Sequence, residues 1–127
     1  MNELFGPVIH SYTRADAIAD GVLVDLTAAY PEECRMYRYN VACTAAVWSL
    51  VDRAVTRRKH YNDEAGVVWD ILYMSQRGVI ARPDDQTVLF KVVITGTGKQ
   101  CTHTLKAVCG PGDDLKPVIT IMLPEED

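Results

Sequence analysis

Four cysteines (Cys34, Cys43, Cys101 and Cys109) and three histidines are the residues of this 127-residue chain best suited to nucleophilic or metal chemistry. Cys101, His103 and Cys109 come closest to a metal set, because side chains alternate along a strand and Cys101 and His103 share one face. A structural zinc takes four ligands, usually in two close pairs. No C-x-x-C and no second pair is present, so the four thiols read as small hydrophobes, reduced and metal-free. Gly96-Thr97-Gly98-Lys99 has the glycines and lysine of a phosphate loop. It places Gln100 where a hydroxyl must meet magnesium, and strand-forming sequence lies on both sides. It reads as a hairpin turn. No G-x-S-x-G and no H-E-x-x-H occurs, and no cofactor is called for.

One fragment suggests enzymatic chemistry. In His10-Ser11-Tyr12-Thr13, His10 and Tyr12 stand beside a short helix. They resemble the residues with which ADP-ribosyltransferases hold a nicotinamide dinucleotide. A late-strand catalytic glutamate is missing from the resemblance, since Glu125 and Glu126 follow the last strand. A small nucleotide-chemistry enzyme with His10 and Tyr12 at its centre is therefore the alternative reading.

Charge is segregated. Residues 1–33 hold Glu3, Asp16, Asp20, Asp25, Glu32 and Glu33 against Arg14 alone, whereas residues 34–60 hold six bases against Asp52. The net charge of -4 argues against a basic nucleic-acid binder. The cluster Arg53, Arg57, Arg58 and Lys59 reads as a solvated helix end, where cations complement the dipole. A 48% hydrophobic share with 24% charged residues excludes disorder and suits one domain over residues 1–127. No apolar run approaches the ~20 residues of a membrane span, and Met1–Pro7 has no basic stretch of a secretion signal. A cytoplasmic protein without membrane contact is expected.

The elements that must position these residues follow from period and punctuation. Val8–Tyr12 and Val22–Val24 read as short strands flanking a helix over Ala15–Asp20, with Thr13 as N-cap and Gly21 as stop. Residues 27–40 read mostly as loop. Val41–Val55 is the first long helix candidate, with Thr44 as N-cap and Val47, Leu50, Val51, Ala54 and Val55 on one face. The second runs from Gly66 to Gln76, with Gly78 as its stop. Three strands follow, Thr87–Thr95, Cys101–Val108 and Pro117–Leu123, separated by glycine-rich turns. The expected fold is α+β: a C-terminal three-stranded antiparallel meander covered by two helices, plus a short N-terminal strand-helix-strand unit. Val47, Leu50, Val51, Trp69, Leu72, Phe90, Val92, Ile119 and Ile121 form its expected core.

Phe5–Ala15, Asp20–Asp25, Trp69-Asp70, Val108–Asp113 and Pro117–Pro124 resemble a family of short uncharacterised proteins encoded on bacterial phages, plasmids and other mobile elements. Residues 26–40 depart from its pattern. The resemblance implies a genomic setting and assigns no reaction. On a mobile element, a plausible target is host machinery or a defence complex, as for an anti-CRISPR inhibitor. The chain is therefore expected to be a non-catalytic binder of a host or phage protein with a basic surface. Asp16, Asp20, Asp25, Glu32 and Glu33 would stand in for phosphates.

Overall fold

Thr13 has the extended backbone of an N-cap. Its hydroxyl accepts from the Asp16 N–H at 3.0 Å while the Asp16 carboxylate accepts from the Thr13 N–H at 3.1 Å, a reciprocal capping box. This cap opens α1 (Arg14–Ala19) in a computed structural model that describes residues 12–56 and 63–127. Gly21, at φ 79, turns the chain into β1 (Leu23–Asp25). Asp25 ends that strand by accepting from the Ala28 N–H and so caps α2 (Leu26–Ala29). A 3-10 turn over Glu33–Met36 leads to β2 (Asn40–Thr44). Most of the stretch expected as loop is thus ordered into short turns.

The apolar run from Val41 divides. Val41–Cys43 lie in β2, and α3 (Ala45–Thr56) starts directly behind Thr44, whose hydroxyl accepts from the Val47 N–H. Asp63 caps α4 (Glu64–Ala81), which is longer than its expected span. Gly78 lies inside this helix rather than ending it. A Cβ there would sit 3.1 Å from Val88 Cγ1 and 3.4 Å from Phe90 Cβ, so glycine allows close approach to the sheet. The remaining strands are β3 (Thr87–Val93), β4 (Thr102–Pro111) and β5 (Pro117–Met122).

The expected three-stranded sheet with a separate N-terminal unit is overturned. The sheet has five strands in the order β1-β2-β5-β4-β3, and it is mixed: β2 runs parallel to β5, and the other neighbours are antiparallel. β2 escaped because Val41, Ala42, Cys43 and Thr44 are all buried, which removes the alternation that marks a half-exposed strand. β1 pairs with β2 at one edge, so no separate unit exists. The strand expected at Val8–Tyr12 lies outside the described residues apart from Tyr12. The α+β class stands.

Helices α3 and α4 cover one face. Val47, Val51, Val68, Ile71 and Leu72 pack there against Val41, Cys43, Phe90, Leu105, Ile119 and Ile121. Every expected core residue is buried except Trp69, which remains 44% exposed. On the other face, the Arg14 guanidinium donates to Thr120 Oγ1 at 2.7 Å and to the Ile119 carbonyl at 2.9 Å. Asp113 accepts from the N–H groups of Arg14 and Ala15. These bonds fasten α1 to the β4–β5 hairpin. Among the described residues, no helix is long and apolar enough to cross a membrane.

Candidate functional site

An open cleft of about 770 Å³ lies at the end of the sheet where β4 turns into β5. Its walls come from three distant segments. The first is the 3-10 turn and the residues behind it, with Arg35, Tyr37, Arg38 and Tyr39. The Tyr37 hydroxyl lies 2.8 Å from Ser75 Oγ, and Ser75 donates to the Leu72 carbonyl at 2.7 Å. Ser75 has one proton, so Tyr37 is the donor between them. Burial pushes the Tyr37 phenol up, which keeps it protonated and donating. The Gln76 side-chain amide donates to the Met36 carbonyl and ties the same wall to α4.

The second wall is the end of α4 and the loop after it, with Val79, Ile80, Pro83 and Asp84. The third is the β4–β5 hairpin, with Pro111, Leu115 and Pro117. Gly112 is required in that hairpin, because a Cβ would stand 2.8 Å from Val118 Cγ1. Leu115 is the one non-glycine residue with positive φ, 68°, among the described residues, and it is 81% exposed. A bulky side chain held in the left-handed region costs about 1–2 kcal/mol. Strain of this kind gathers where a ligand or partner is met.

Cys109 and Ile119 form the floor. Arg38 on one wall and Asp84 on another are exposed, and neither makes a hydrogen bond or ion pair with a described residue. The arrangement can hold an apolar side chain between opposite charges. His103, the histidine within the described residues, bonds to Thr97 in the β3–β4 turn rather than lining this cleft.

The residues singled out in the sequence lie elsewhere. Tyr12 donates to Asp20 at 2.8 Å, and His10 lies outside the described residues. Asp16 completes the α1 capping box, Asp25 caps α2, and Glu32 accepts from Arg35 at 3.0 Å. Glu33 lies in the first turn of the 3-10 segment. The five acids are dispersed over α1, the β1–α2 junction and the 3-10 turn. Three serve as caps or bond Tyr12, which gives their positions a local structural use. Cys101 donates to the Gly98 carbonyl, and among the described residues no three His, Cys, Asp or Glu side chains gather around a metal position. In the sequence, Tyr37 and Tyr39 fall in the stretch read mostly as loop, and Pro117 opens a strand. Only the fold brings them together.

The fold and the cleft define an α+β domain built on a five-stranded mixed sheet, with an open cleft at one end. Residues 1–127 match the family described as Family of unknown function (DUF6573), and the chain belongs to it. No curated protein and no solved structure matches the chain.

Proposed function

We propose that the protein is a non-catalytic binding module whose cleft takes an extended segment of another protein. The preferred segment carries a bulky apolar side chain flanked by one basic and one acidic residue. The observation that supports this reading is a partly apolar cleft lined by two opposite charges, Arg38 and Asp84, that pair with no described residue, with strained Leu115 also in its lining. The apolar side chain would supply most of the affinity and the charges the orientation. A narrower form of the proposal takes the partner to be a host or defence protein met in the cytoplasm by a mobile-element product. It rests on the sequence resemblance and on the acid-rich segment up to Glu33.

Affinity purification from a bacterial lysate identifies a partner, and Leu115→Gly then discriminates. Glycine accepts the left-handed conformation without strain, so the variant should melt higher, by about 1 kcal/mol. It should also bind the partner about tenfold more weakly. Arg38→Glu and Asp84→Lys should each weaken binding and leave the melt unchanged. Binding indifferent to all three substitutions would overturn the assignment of the cleft.

A further inference from the structure

The two edges of the sheet differ. β1 has three residues, and a short edge gives another chain little to pair with. β3 has seven, and among the described residues no strand pairs with its outer side. The Ile94 N–H donates to the Cys101 carbonyl and the Cys109 N–H to the Gln86 carbonyl, which fixes the even-numbered residues as those facing β4. The peptide groups of Thr87, Leu89, Lys91 and Val93 therefore point outward. Apolar surface brackets them on both sides. Leu89 and Val93 are 60% and 59% exposed on the face away from α3 and α4, and Tyr73 and Met74 border a groove of about 450 Å³ between α4 and β3. Lys91 is the one charged residue along this edge. Natural edges of this length are usually blocked by several charges, a proline or a bulge.

From this edge we infer that two copies of the chain pair through antiparallel β3 strands around a two-fold axis at Leu89, joining the sheets into one of ten strands. The register is chosen by charge. With Leu89 opposite Leu89 of the second copy, Lys91 faces Thr87 and lies diagonal to Asp85, just ahead of the strand. A two-fold at Lys91 would set like charges directly opposite, which is unfavourable. In the Leu89 register the Lys91–Asp85 pairing occurs twice. Its apolar centre is Leu89 against Leu89, and the exposed side of α4 near Tyr73 and Met74 flanks the seam. Such an interface gathers the apolar core and polar rim of a symmetric dimer.

Light scattering of the full chain at high micromolar concentration should give twice the 14.1 kDa chain mass. Lys91→Pro removes an outward N–H and spares the β3–β4 ladder, so it should yield a folded monomer. Leu89→Glu sets two carboxylates opposite each other and should do the same without touching the core. Circular dichroism confirms the fold of both. Leu89→Cys should form an intermolecular disulfide, since the Cα atoms of a hydrogen-bonded antiparallel pair stand about 5.5 Å apart. A monomeric wild-type chain overturns the proposal, as does a dimer that survives both Lys91→Pro and Leu89→Glu. Cross-linking through Val93→Cys and not Leu89→Cys overturns the register.

Discussion

His103 shows how a residue that reads as a candidate ligand becomes a structural one. The Thr97 hydroxyl donates to the Ile94 carbonyl at 2.8 Å, so it accepts from His103 Nε2–H, also at 2.8 Å. Burial and then the nearby Arg53 charge hold the imidazole below its ordinary 6.5. Its contribution to stability is complete above pH 6.5. It is lost as pH falls from there to the lower folded value, because the unfolded chain takes up the proton first. An NMR titration of the ring should give a midpoint below 6.5, and a midpoint at or above 6.5 would refute the reading. The cysteines divide by the same physics. Cys43 is 1% exposed, and burial pushes its thiol up to about 12. Cys34 is also buried and raised, whereas Cys101 and Cys109 are partly exposed. Iodoacetamide at neutral pH should label Cys101 and Cys109 in the native protein and reach Cys43 only after unfolding, as read by peptide mass spectrometry.

At the scale of elements, legibility followed exposure. α3 showed its period because one face is buried and the other wet. Leu50, 6% exposed on that face, should cost about 2–5 kcal/mol when cut to alanine, seen as a lower melting temperature. Trp69→Ala should cost less than the 3–5 kcal/mol usual for a buried aromatic, roughly 1–2 kcal/mol, because the ring stacks on Tyr73 at 4.8 Å while half in water. Equal losses for the two would contradict this ranking. β3 was marked by its run of Val, Leu and Phe, and its turn to β4 by Gly96 and Gly98, both at positive φ. β2 gave neither signal, because it is covered on both faces and runs into α3 with only the Thr44 cap between them. Gly78 gave a misleading one: glycine after an amphipathic run reads as a stop, while here it is the contact point of a helix on a sheet. The cleft was illegible for a different reason. Tyr37, Asp84 and Leu115 are separated by tens of residues, and no local pattern links them.

For the whole molecule, the parallel pairing of β2 with β5 ties the first half of the sheet to the last strand. β1 and β2 cannot bury their edge without β5, so the protein should unfold in one step. Fluorescence from Trp48 on α3 and Trp69 on α4 should trace the same denaturant midpoint as far-ultraviolet circular dichroism. Two separated midpoints would mean that the β1–β2 end unfolds on its own.

The central strand is also the last of the five to be made. During translation, β1 and β2 leave the ribosome long before their neighbour β5 exists, and β2 carries four buried-type residues with one edge unclaimed. Non-local pairing of this kind is slow, and an unpaired apolar strand is what chaperones recognise and aggregates recruit. Until Pro117–Met122 emerges, the nascent chain is unable to close this sheet, and β2 needs shielding for that interval.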